Sequence, residues 1–115
     1  VGIDAARPEE FQGSYPFARA FRPGEFSLAL GICRSGQEHA AALLWSLKEA
    51  AVKALGCGFH TLDPLALEAR SPTAWDGGHL WRVRSEESLA VWVTRRKEAW
   101  LAVAHLEPCG QALES

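Results

Sequence analysis

The sequence predicts an α+β domain, a long helix packed on a mainly antiparallel sheet, and three observations carry that reading. A stretch ending at Leu55 keeps apolar residues at helical spacing for about five turns and meets Gly56, a helix-stopping residue. The second half breaks into short runs rich in Val, Leu and Trp, separated by turn signals at Asp76-Gly77-Gly78 and at the charged tip Arg95-Arg96-Lys97-Glu98. At 115 residues, 48% hydrophobic and 23% charged, the chain suits one core, so residues 1–115 are read as a single domain.

The elements follow in order. Val1-Gly2-Ile3-Asp4 reads as a short buried strand with Asp4 emerging at its end. Pro8, Gly13, Pro16, Pro23 and Gly24 make the stretch 7–24 an irregular loop with turns. A short helix is placed at about 23–30, lacking an N-cap hydroxyl because Arg22 stands at the capping position. Ser35-Gly36-Gln37-Glu38 spells a capping box, in which Ser35 accepts from the Glu38 amide and the Glu38 carboxylate reaches back. The helix it opens runs to about Leu55, with Ala40, Leu43, Leu44, Leu47, Ala51, Ala54 and Leu55 toward the core. Glu49 and Lys53 fall on the other side, with Ser46 and Ala42, at the rim of the core. Strands are expected at about 65–70, 79–84, 89–94 and 99–105, the last two as a hairpin. Alternation of Trp81 and Val83 with Arg82 and Arg84 gives one dry face and one wet one.

Composition excludes several classes of function. A formal charge of −2 argues against bulk attraction to nucleic acid, although a local basic pocket for a phosphate-rich ligand is compatible with it. No apolar run approaches the roughly 18 residues of a membrane-spanning helix. Cys33, Cys57 and Cys109 form no C-x-x-C pair, and their odd number excludes a full disulfide framework. They read as reduced thiols of a cytoplasmic protein. The absence of any Met points to a processed chain or a piece of a longer one. The five tryptophans are spaced mostly as core residues, with Trp75 beside Asp76-Gly77 the one expected outside. The four histidines show no ligand spacing and are read as structural.

Glu49 and Lys53 stand one helical turn apart on a shared face. A carboxylate and an ammonium so placed could hold a hard cation and steady a phosphate. The same spacing is also the favoured ion pair of a solvated helix, contributing about 0.2–0.5 kcal/mol. Both readings stand on those two residues alone.

Gly2-Ile3-Asp4, followed some forty residues later by Trp45-Ser46-Leu47-Lys48-Glu49-Ala50-Ala51-Val52-Lys53, resembles the paired motifs of the 4′-phosphopantetheinyl transferase superfamily. Trp45 resembles the Sfp-like branch, whose members usually hold two such halves, whereas the smaller holo-acyl-carrier-protein synthases more often have Phe there. Phe21-Arg22-Pro23-Gly24-Glu25 is similar to the family's F-S/T-x-x-E segment, with Arg22 as the departure. The resemblance implies transfer of the phosphopantetheine arm of coenzyme A to a serine of an acyl or peptidyl carrier protein. It further implies that Asp4 and Glu49 hold Mg²⁺, that Glu49 and Lys53 are catalytic, and that Lys48, Lys53, Gly56 and Gly58 contact the cofactor. Lys48 would otherwise be a solvated side chain, and Gly56 a helix stop. Ala6 stands where many relatives carry a further acidic residue. A lone half would complete its site with another copy, making a homo-oligomer, or with a missing partner half. The rival reading is a non-catalytic relative acting as an oligomeric interaction module.

Overall fold

A computed structural model describes residues 1–13, 16–56 and 62–107. Its elements are β1 (Gly2–Ala6), α1 (Pro23–Cys33), α2 (Gln37–Leu55), β2 (Glu68–Trp75), β3 (Gly78–Arg84), β4 (Ser88–Arg96) and β5 (Ala99–Leu106). Short 3-10 turns at Pro8–Phe11, Phe17–Arg19 and Pro64–Ala66 punctuate the loops. The five strands form one antiparallel sheet in the order β1-β5-β4-β3-β2, with both helices packed on it, so the α+β architecture is as expected.

The hairpins follow their turn chemistry. Asp76 and Gly77 both take positive φ, 50° and 79°, as a two-residue connection of primed type requires. Trp81 and Val83 are buried while Arg82 and Arg84 face water, and Arg82 pairs with Glu107. Trp75 is exposed, as expected.

Several expectations are corrected. β1 is an edge strand rather than a buried one and continues to Ala6, so Asp4 lies at its middle. Gly2, Asp4 and Ala6 turn toward α2, whereas Ile3, 56% exposed, faces out. Helix α1 reaches Cys33, and Arg34 in the left-handed region ends it. Its N-terminus carries the reverse half of a capping box, the Glu25 carboxylate accepting from Arg22 N at 2.8 Å. The Ser35 capping box does not form. The chain leaves one helix and enters the next within three residues, and Ser35 is used in closing the first, its Oγ donating to Cys33 O. Gly36, at φ 103°, takes the N-cap of α2 without a side-chain bond.

Strand β2 begins beyond the 3-10 turn that holds Leu65 and passes through Ser71-Pro72, where the sequence reading ended it. A register shift between Arg70 and Thr73, with Ser71 at φ 52°, absorbs the proline on this edge strand.

Helix α2 is buried almost all round. It packs on β1, β5 and β4, while α1 and the Pro8–Phe11 turn cover its remaining flanks. Ala42 and Ser46, expected at the rim, are fully buried, Ser46 Oγ donating to Leu43 O at 2.8 Å. Ala54 and Leu55 are only partly buried. Gly2 of β1 meets α2 at Ala50, and Ala40, Ala41 and Ala51 of the helix, like Ala6, Ala102 and Ala104 of the sheet, are buried; such small residues let helix and strands approach closely.

Candidate functional site

Strand β1 is drawn onto α2 by its lack of a side chain. A Cβ at Gly2 would run into the Ala50 carbonyl oxygen and lie 2.7 Å from Ala54 N, so only glycine permits this approach. Two residues further on, the same pleat aims Asp4 at the helix face that carries Glu49 and Lys53.

Lys53 Nζ donates to Asp4 Oδ1 at 2.9 Å and to Ile3 O at 3.1 Å. Its long side chain therefore reaches across to the strand, and among the described residues no salt bridge joins it to Glu49, the partner that helical spacing alone suggested. The hydrogen bond to Asp4 raises the Lys53 pKa above its ordinary value, with the negative charges of Asp4 and Glu49 adding to it. Glu49 is half-buried; burial first, then the neighbouring Asp4 charge, pushes its carboxyl pKa up, against the pull of Lys53. Asp4, Glu49 and Lys53 thus form one electrostatic cluster, two carboxylates that repel each other beside one ammonium. Such a cluster can bind a cation between the carboxylates and a phosphate against the lysine. Among the described residues no group of three or more His, Cys, Asp or Glu is placed so that it could hold a metal ion, and Ala6, 1% exposed, is a packing residue.

Lys48 is corrected: it is not solvated but fully buried. Its Nζ donates to Ala20 O at 2.9 Å and Pro64 O at 2.8 Å and forms an ion pair with Glu25, which is equally buried. Burial pushes its pKa down, opposed by the charge and hydrogen bond of Glu25. Its three N–H bonds are engaged, and it stands apart from the Asp4 cluster. The signal was present in the sequence, since Lys48 falls at core spacing between Leu44 and Ala51. Glu25 went unassigned a role, although it closes the F-x-x-x-E segment. Gly56, at φ 79°, caps α2, its amide bonded to Lys53 O. Gly58, together with Cys57, His60 and Cys109, lies outside the described residues.

At the C-terminal end of α2 opens a cleft of about 770 Å³, with Arg22, Leu55, Leu62, Ala66, Glu68 and Arg84 among its walls. That volume suits a drug-sized ligand. The cleft shares α2 with the Asp4 cluster without including it.

His39 closes the far end of α2, its Nδ1 accepting from Trp100 Nε1 at 3.2 Å. This is a structural histidine, as expected. Cys33 is a free, buried thiol, and among the described residues no helix is long and apolar enough to cross a membrane.

Comparison with known proteins agrees with these motifs. A family model described as the 4′-phosphopantetheinyl transferase superfamily matches residues 1–104. No curated protein matches the chain.

Proposed function

The chain belongs to the 4′-phosphopantetheinyl transferase superfamily, which uses coenzyme A and acts on carrier proteins, and on that premise we propose that it is a Mg²⁺-dependent transferase of holo-acyl-carrier-protein synthase type. It would move the phosphopantetheine arm of coenzyme A onto a serine hydroxyl of an acyl or peptidyl carrier protein, releasing adenosine 3′,5′-bisphosphate. The observation that carries this reading is the convergence of Asp4 from β1 with Glu49 and Lys53 from α2, the side chains the family motifs single out.

In such a transfer the serine oxygen forms a bond to the β-phosphorus of the pyrophosphate while the bond to the bridging oxygen breaks. The hydroxyl proton leaves to a base, and the leaving phosphate keeps the electron pair. Little covalent chemistry falls to the protein, so positioning and charge neutralisation dominate. The two carboxylates fit a hard cation that keeps several waters: their donors are all oxygen, their mutual repulsion is relieved by positive charge, and Lys53 already supplies one such charge. When bound, Mg²⁺ would supply charge neutralisation at the pyrophosphate. Lys53, half-exposed on its flexible stem, can swing from Asp4 to an incoming phosphate as a point charge. Asp4 and Glu49 would be the residues that hold the cation, and the close approach of β1 to α2 at Gly2 brings the strand that carries Asp4 against the helix that carries Glu49.

A second copy or a second half would complete the cofactor cleft, and a cytoplasmic setting belongs to the same proposal. The interaction-module reading rests on Ala6, which removes one acidic side chain from the site. The deciding experiment is transfer of a labelled pantetheine arm from coenzyme A to apo carrier proteins. Transfer that needs Mg²⁺ and is lost in Glu49→Gln supports the enzyme; no transfer to any of several carriers, with no calorimetric response to Mg²⁺, favours the module.

A further inference from the structure

Lys48 and Glu25 sit inside the domain, and every hydrogen bond they make across the fold ends on or beside the large cleft. Lys48 Nζ holds Ala20 O, two residues before the wall residue Arg22, and Pro64 O, midway between the wall residues Leu62 and Ala66. The Glu25 carboxylate accepts from Arg22 N and, at 2.9 Å, from Ala69 N, next to the wall residue Glu68. The Phe21 ring lies 5.7 Å from the ammonium and closes the remaining side. One buried ion pair therefore ties together the loop before α1, the first turn of α1, the 3-10 turn and the start of β2, all against the middle of α2.

We infer that Lys48 and Glu25 are positioning residues that fix the walls of this cleft relative to the helix face carrying Glu49 and Lys53, and that Lys48 makes no contact with the cofactor's phosphates. The inference builds on the transferase reading of the Asp4 cluster. An ammonium has three donors, and here two go to backbone carbonyls and the third to a carboxylate. Turning it toward a phosphate would strand Glu25 as an unpaired charge in the core and leave two carbonyls without partners. Buried ion pairs often contribute little to stability compared with apolar replacements, but they are directional, and this one sets the register of four segments around a ligand-sized space.

The test compares the wild-type chain with Lys48→Met, Lys48→Met/Glu25→Gln and Lys53→Ala, using coenzyme A as the probe. Amide hydrogen exchange at Ala69 and along 62–68 reads the cleft walls without reference to activity. Calorimetric affinity for coenzyme A across a salt series counts phosphate contacts, because losing one flattens the dependence on salt. Lys48→Met should speed exchange at Ala69 by about tenfold or more and raise the KM for coenzyme A, while its salt dependence stays that of the wild type and kcat changes less. Lys53→Ala should flatten the salt dependence and lower kcat. If Lys48→Met does not fold, the double variant, which leaves no orphaned charge, carries the same measurements. Wild-type exchange at Ala69, or a salt dependence flattened as in Lys53→Ala, overturns the inference. If the wild type neither binds coenzyme A nor transfers from it, the transferase reading fails, and the exchange comparison alone decides whether the pair holds the cleft.

Discussion

Replacing Gly2 with alanine tests whether the site depends on strand and helix touching backbone to backbone. The added Cβ would sit 2.7 Å from Ala54 N and 2.9 Å from the Ala50 carbonyl carbon, and nearer still to the Ala50 oxygen, where ordinary contact begins at 3.4 Å. Those atoms belong to a hydrogen-bonded helix buried on nearly every side, so β1 must retreat, by roughly 0.7 Å or more to clear the amide alone. Overpacking of this kind costs about 1–3 kcal/mol. Each kcal/mol lowers the thermal midpoint of a domain near this size by about 4–8 °C. Asp4 moves with the strand, and misplacing a catalytic group by about 1 Å can slow a reaction about a hundredfold. Circular dichroism gives the midpoint, and pantetheine transfer well below it gives the rate. Gly78→Ala is the control: its Cβ would meet the Val93 carbonyl, Thr94 Cβ and Trp92 Nε1, two strands removed from β1. It should lose comparable stability and keep its rate while folded. A Gly2→Ala chain with wild-type midpoint and rate, or a Gly78→Ala chain that loses transfer equally while folded, would refute the reasoning.

Lys53→Ala and Glu49→Gln should each cut transfer by at least about tenfold, whereas the exposed Lys53–Asp4 pair contributes at most about 1 kcal/mol, so urea midpoints should barely move. Lys48→Met should do the reverse to stability, costing about 3–5 kcal/mol in urea unfolding by leaving Glu25 buried and unpaired. His39 has its pKa held below the ordinary 6.5 by burial and then Arg95, with Glu38, Glu9 and Glu98 opposing. Because the unfolded chain then binds the proton first, the His39 contribution should be complete above about pH 6.5 and fall away as the pH drops through the lower folded value. Urea midpoints measured from about pH 5 to 7.5 should show that decline in the wild type and a weaker one in His39→Gln, which cannot take up the proton.

Local chemistry made much of the fold legible. The Gly56 stop, the Asp76-Gly77 turn and the Arg82/Arg84 alternation each follow from one residue's backbone or solvation preference, and each stands in the structure. Features that depend on a second segment were hidden. Ser35 has the spelling of a cap, but the preceding helix ends so close that its hydroxyl serves that end. Ser71-Pro72 reads as a break, yet an edge strand can pass through it with a bulge. Lys48 stands at core spacing on its own helix, but the partners that compensate its buried charge, Ala20, Glu25 and Pro64, are scattered along the chain and could not be read from it. Asp4, Glu49 and Lys53 emerged from motif spacing, but the preference of Lys53 for Asp4 over Glu49 depends on how closely β1 approaches α2.

The position of β1 at the sheet edge also bears on the order in which the site comes together. Among the described residues its one strand neighbour is β5, with Asp4 opposite Ala102, so closing that pairing joins residues nearly a hundred positions apart. Helix α2 and the β2–β3–β4 hairpins are built from far nearer neighbours and bear a smaller loop-closure cost. Glu49 and Lys53 can therefore be in place on a formed helix while Asp4 is still on a free strand. An intermediate with helix and hairpins intact would show most of the native circular dichroism yet lack one of the two carboxylates, so recovery of transfer during refolding should lag behind recovery of secondary structure.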